Sequence, residues 1–250
     1  MLGFGRTDLG SVRQNNEDAI FVSNENVGAL ENLYIISDGM GGHNAGEVAS
    51  SKAIEFFVEK IKDYGSEIED GDIIRVMSEA VRYANRSIHT IASQNSEMAG
   101  MGTTFTAVTF KGSKGYVVHI GDSRAYALNP YMKQITTDHT YVNDLVRAEI
   151  ISDAQARTHH LRNVITRALG SEAECEVDAY TFDVEPRDKF LLCSDGLNTM
   201  LEDSEIEMVI ATGEDFNSAT AKLVSLANQQ GGVDNISVIL IGEGGVGDVA

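Results

Sequence analysis

The chain has no tryptophan, only two cysteines and two prolines, and half as many basic as acidic residues. Two cysteines, Cys175 and Cys193, cannot build the disulfide framework of a small secreted domain. Cys193 lies inside the apolar run FLLC and reads as a small buried hydrophobe. Two prolines against 24 glycines exclude an extended, proline-rich polypeptide and indicate structured turns. With 19 Lys and Arg against 38 Asp and Glu, the net charge of −19 makes nucleic acid and anionic membranes poor partners. An anionic substrate would need a local positive centre, which bound cations could supply. No apolar run approaches the roughly 20 residues that cross a bilayer. The opening MLGFGRTDLG lacks the apolar core of a signal peptide, so a cytoplasmic location in a reducing compartment is expected.

What is present is enough apolar material, 42% of 250 residues, for a sizeable core. Residues 1–17 read as polar and glycine-punctuated. Strands are expected at 19–23, 33–37, 103–110, 115–120, 123–128, around 175–182, at 190–193 and at 235–241. The turn KGSKG joins two of them as a hairpin. Asn44 can cap a helix whose stripe includes Val48, Ala49, Ala53, Ile54, Phe57, Val58 and Ile61. A second amphipathic helix carries Ile73, Met77, Val81, Ala84 and Ile88, and two more are expected at 202–212 and 217–229. Residues 129–165 lose periodicity and read as short helices and a surface flap. This order does not alternate as βαβ units would. It fits an α+β sandwich of largely antiparallel sheets with helices on the outer faces, in a single domain.

Four aspartates sit beside strand-like apolar runs: Asp38 in YIISDGMGG, Asp122 in VVHIGDSR, Asp195 in FLLCSDGL and Asp234 before NISVILI. Carboxylates, carbonyls and water are hard oxygen donors that favour Mg²⁺ or Mn²⁺ over zinc. Glycine after Asp38 and Asp195 lets the backbone turn tightly and leaves room for an ion. Two cations roughly 3.5–4 Å apart are a recurrent device for activating water towards phosphorus. The plain alternative, that each Asp-Gly is only a turn, stays open on spacing alone.

Other residues have two readings as well. Arg13 is an ordinary surface charge or a bidentate phosphate grip. His43, five residues beyond Asp38, is a loop histidine or a proton donor to a leaving oxygen. His119 sits in a strand interior and reads as structural, and His159 and His160 read as flap surface. GMGGHNAG has neither the Lys-Ser/Thr ending of a P-loop nor Gly-x-Gly-x-x-Gly. Neither cysteine is followed by the arginine of a cysteine-nucleophile phosphatase loop, and Asp195 lacks a second aspartate two residues on. No histidine follows His160 to complete a Gly-Asp-Ser esterase.

Taken together, TDLGSVRQNNED, IISDGMGGHNAGEVAS, MGTTFTAV, HIGDSRAY, LLCSDGL and GGVDNISVILI resemble, in order, the motifs of the metal-dependent, type 2C serine/threonine protein phosphatases in their compact bacterial form. The resemblance runs from about Thr7 to Ile241. It implies a four-layer sandwich of two antiparallel β-sheets flanked by helix pairs and a catalytic domain over 1–241, while the glycine-rich residues 242–250 read as a flexible tail. It implies that Asp38 bridges two catalytic Mn²⁺ or Mg²⁺ ions, that Gly39 offers its carbonyl, and that Asp195 and Asp234 complete the centre. Asp122 would help hold a third ion, with Asp195 shared, and Asp18 would act through coordinated water. Arg13 would bind the substrate phosphate, and His43 would be the general acid. The segment 139–163 would be the variable flap.

By the same resemblance, a water or hydroxide bridging the two ions attacks phosphoserine or phosphothreonine in proteins. The expected partners are phosphorylated targets of a bacterial serine/threonine kinase and the kinase itself, with the chain a monomer. Two alternatives are a partner-specific regulator phosphatase of the anti-sigma type and a non-catalytic binding module on the same fold. An intact cluster of like charges argues against the module, because a scaffold has no use for it.

Overall fold

The computed structural model describes residues 1–42, 45–65 and 68–243. His43, the expected cap Asn44 and the tail from residue 244 lie outside the described residues. In chain order the elements are β1 (Leu2–Asp8), β2 (Asp18–Ser23), β3 (Leu33–Met40), α1 (Ala45–Asp63), α2 (Ile73–Gln94), β4 (Gly102–Thr103), β5 (Phe105–Lys111), β6 (Lys114–Ile120) and β7 (Arg124–Leu128). There follow β8 (Met132–Gln134), α3 (Tyr141–Arg147), α4 (Asp153–Arg157), β9 (Asp178–Asp183), β10 (Lys189–Cys193), α5 (Asp195–Asn198), α6 (Asp203–Thr212), α7 (Phe216–Gln229) and β11 (Ile236–Gly242).

Strands β1-β11-β10-β7-β8 form one sheet and β2-β3-β5-β6-β9 the other, with β4 added on β3. The pairings are antiparallel. Period-two alternation explains how the layers stack. In β3, Leu33 and Ile35 face α1 and α2, while Tyr34 and Ile36 face the other sheet. In β11, Val238 and Leu240 face α6 and α7, while Ile239 and Ile241 point back between the sheets. Phe110 and Phe190, one from each sheet, meet there with ring centroids 4.8 Å apart. The apolar runs within β3, β10 and β11 therefore mark strands covered on both faces. The result is the expected α+β four-layer sandwich, with α1 and α2 on one face and α5, α6 and α7 on the other.

Three elements differ from the sequence expectation. Residues 2–8, which read only as polar and glycine-punctuated, form β1 because all seven pair in register with β11. Residues 132–134 form the short edge strand β8 on β7. The strand expected from Cys175 begins only at Asp178, and Cys175 and Val177 pack instead against the core beneath α2. The KGSKG hairpin is present, with Lys111 opposite Lys114 and Gly112 at φ 57°, a conformation glycine adopts without strain.

Candidate metal centre

Five aspartates from separate elements lie within electrostatic range of one another at one end of the sandwich, across the seam between the sheets. Asp18 opens β2 directly opposite Asp38 in β3. Asp38 is pinned through its backbone: its N–H donates to the Thr104 hydroxyl at 2.9 Å, and its carbonyl accepts from Thr104 N at 2.9 Å and Thr103 Oγ1 at 2.8 Å. The Thr104 hydroxyl lies 2.7 Å from Ser123 Oγ, which ties the Asp122 turn to the same strand. Asp195 opens the single turn α5 immediately after β10. Asp18 crosses the seam, because its Oδ2 accepts from Ser194 at 2.7 Å and from Ser237 at 2.6 Å, both in the other sheet's half. Asp234 stands just before β11, with its Oδ2 2.7 Å from Arg13.

The charges disturb one another strongly. Burial, then the nearby Asp18, Asp195, Asp122 and Asp234, holds Asp38 well above the usual carboxylate range. Asp195 is raised by burial and then by Asp122, Asp234 and Asp18. Burial pushes Asp18 up to about 6 despite its two serine donors, and pushes Asp122 up to about 7, with Asp138 adding to it and Arg124 opposing. Like charges held this close are costly unless cations lie between them. Two buried oxygens, Asp18 Oδ1 and Asp122 Oδ1, have no hydrogen-bond partner among the described residues. Unpaired hard oxygens in a cluster of carboxylates fit a hard divalent cation. Among the described residues, no three acidic, histidine or cysteine side chains close into a compact ligand set by themselves. The aspartates sit at electrostatic range instead.

Gly39 has no room for a side chain: a Cβ there would lie 2.0 Å from the Gly46 carbonyl and 2.6 Å from that of Glu17. Gly196, after Asp195, is equally confined, with its Cβ 2.0 Å from the Asn235 carbonyl. Arg13 keeps 46% of its side chain exposed at the mouth of the site. An exposed pair such as Arg13–Asp234 is worth about 0–1 kcal/mol, so an anion can recruit the guanidinium at little cost. The flap segment forms α3 and α4, joined to Ile165 by a bridge at Thr140. Between it and α5 lies a cavity of about 680 Å³ whose wall includes Asp122, Asp195, Asn143, Arg157 and Arg162. His119 is buried, bonded to Thr106 Oγ1 and the Thr137 carbonyl, and is structural as expected. His159 and His160 stack on each other in the flap.

Two residues here escaped the sequence reading. Glu17 lies beside Arg13, Asp234 and the Gly46 backbone, and partial burial raises its pKa against the pull of Arg13. Asn235 is buried and fully engaged: its Oδ1 accepts from Glu17 N at 2.8 Å, and its Nδ2 donates to the carbonyls of Leu9 at 2.8 Å and Asn15 at 3.0 Å. It thereby fastens the loop that carries Arg13 to the start of β11. Their only sequence signal is adjacency, Glu17 beside Asp18 and Asn235 beside Asp234.

An acidic centre on the seam of a helix–sheet–sheet–helix sandwich defines the chain as a scaffold for gathering hard cations. Residues 10–240 match the protein phosphatase 2C family, and the chain belongs to it. It is 35% identical over 242 residues to the serine/threonine phosphatase stp of Listeria innocua, covering 94% of this chain and 93% of that protein. Its fold superposes on the crystal structure of the serine/threonine phosphatase Stp1 from Staphylococcus aureus with a TM-score of 0.90 at 32% identity, over 98% and 96% of the two chains. It also superposes on the catalytic domain of the serine/threonine protein phosphatase PstP in complex with two manganese ions, with a TM-score of 0.82 at 36% identity over 95% and 96%.

Proposed function

We propose that the chain is a metal-dependent phosphatase that removes phosphate from phosphoserine and phosphothreonine in proteins, using Mn²⁺ or Mg²⁺. The observation that carries this reading is the gathering of Asp18, Asp38, Asp122, Asp195 and Asp234 at one seam with two buried carboxylate oxygens left unpaired. Asp38, the Gly39 carbonyl, Asp195 and Asp234 would hold the catalytic pair of ions. Asp122, with Asp195, would hold a third, and Asp18 would act through coordinated water. When bound, the cations supply a water acidic enough to ionise near neutral pH and neutralise charge on the transferring phosphoryl group. Arg13, free to swing from Asp234, binds two phosphate oxygens and orients the phosphorus in the mouth of the site. His43 gives a proton to the leaving serine or threonine oxygen.

We further read residues 1–241 as one catalytic domain acting as a monomer in the cytoplasm. No helix among the described residues is long and apolar enough to cross a membrane. The partners are substrates of a serine/threonine kinase and the kinase itself, whose phosphorylated segments enter beneath the flap. The test is phosphate release from a phosphothreonine peptide with Mn²⁺, with a chelator, and in Asp195→Ala. Release is expected only in the first case; persistence in either of the others sinks the mechanism. His43→Ala is expected to slow poor leaving groups far more than p-nitrophenyl phosphate, and equal slowing on both removes the proton-donor role.

A further inference from the structure

Arg124 stands in the wall of the cavity between the flap and α5, two residues after Asp122, with its side chain 25% exposed. Its Nε reaches both oxygens of Asp138 at 3.0 and 2.9 Å, its Nη2 reaches Asp138 Oδ2 at 2.7 Å, and its Nη1 donates to the Tyr126 hydroxyl at 2.9 Å. With the Asn198 amide oriented to satisfy both of its ends, Nη1 also donates to Asn198 Oδ1 at 3.0 Å, and Asn198 Nδ2 donates to the Ser194 carbonyl at 3.2 Å. Asp138 is itself fixed by Gln134 at 2.7 Å, and its carbonyl accepts from Asn143 of α3 at 2.7 Å.

Asn198 closes the helical turn that Asp195 opens. That turn is four residues long and is weakly held by its own bonds. Its N-cap residue Ser194 makes no side-chain cap, because the hydroxyl is committed to Asp18. Leu197 anchors the turn in the core, and the guanidinium fork reaches its other end, at Asn198, from a fixed base on Asp138.

We propose that Arg124 is a positioning residue for the metal centre: anchored on Asp138 and bonded to Asn198, it holds the turn carrying Asp195 in place. The inference rests on Asp195 being a cation ligand. A lysine keeps the charge but cannot span both partners, since the planar fork is particular to arginine.

Mn²⁺ binding by calorimetry, with kcat and KM on a phosphothreonine peptide, tests it in the full chain. Asn198→Ala and Arg124→Lys are expected to bind Mn²⁺ about tenfold more weakly, the usual cost of losing a group that orients a ligand. Both should lower kcat while leaving KM near its original value. Asn143→Ala, which loosens only the flap side of Asp138, should bind Mn²⁺ as the unaltered chain does. Should Arg124→Lys fail to fold, Asn198→Ala decides alone, because it leaves the Arg124–Asp138 pair intact. Unchanged Mn²⁺ affinity in Asn198→Ala overturns the proposal, and so does an equal loss in Asn143→Ala. If the unaltered chain binds Mn²⁺ but releases no phosphate, the phosphatase reading fails, while the calorimetric comparison still judges Arg124.

Discussion

Asn235→Ala probes the fastening between the N-terminal loop and β11. The side chain is 4% exposed and serves three backbone groups: the N–H of Glu17 and the carbonyls of Leu9 and Asn15. Each buried group left without a partner costs about 1–3 kcal/mol. Leu9 and Asn15 are exposed and can turn their carbonyls to water, so the part-buried Glu17 N–H and the lost packing dominate. The expected loss is about 2–4 kcal/mol, from one full orphan and a small cavity. For a chain of this size that corresponds to a fall in Tm of about 5–10 °C. Asn235→Asp keeps the acceptor for Glu17 but turns an oxygen on two carbonyls and adds charge beside Asp234. It should destabilise at least as much. Because the loop carries Arg13, KM for a phosphopeptide should rise in both variants. Thermal melts in chelator together with steady-state kinetics provide the assay. A Tm within about 1 °C of the unaltered chain, or an unchanged KM, would show that the loop is held by something else.

Two further outcomes follow from the geometry. Gly39→Ala forces a Cβ onto the Gly46 carbonyl, so the end of β3 must move; thermal melts and Mn²⁺ titration should show lost stability and greatly weakened binding, and near-normal values would contradict the packing. His119 is buried neutral with its pKa pushed down to about 4, first by desolvation and then by His139. Its contribution is complete above the ordinary value near 6.5 and fades as pH falls towards 4, reaching at most about 3 kcal/mol. Urea melts of the unaltered chain should therefore lose stability between pH 6.5 and 4 faster than those of His119→Gln, and parallel curves would refute the assignment.

The elements with strong periodicity were legible in the sequence: β3, β10 and β11 as unbroken apolar runs, α1 and α2 as stripes. β1 was not, because LGFGRTD has few apolar residues, and Leu2 and Phe4 remain 41% and 38% exposed. What makes it a strand is a partner more than two hundred residues away, and local pattern does not carry that. Asp38, Asp122, Asp195 and Asp234 were legible as strand-end carboxylates, a pattern that left a plain turn open, while Asp18 entered only through the family resemblance. Glu17, Asn235 and the Arg124–Asp138 pair act through contacts formed only in three dimensions, so nothing in their local sequence separates them from ordinary surface residues. His43 is legible as a residue type, and its place lies outside the described residues.

The first strand pairs along its whole length with the last, and Asp18 is bonded to two serines from the C-terminal half. During synthesis, then, β1 waits at the ribosome with an unpaired edge until β11 emerges. Asp234 and Asn235 come off only just before that strand. The carboxylate centre therefore cannot assemble on a nascent chain, and a truncated product that stops short of β11 should be inert towards cations however well its N-terminal sheet has folded. Pairings this distant also fold slowly, because a long loop must close first. Assembly of the centre thus waits for β11 to emerge and pair with β1, and cation uptake would report that this strand has docked.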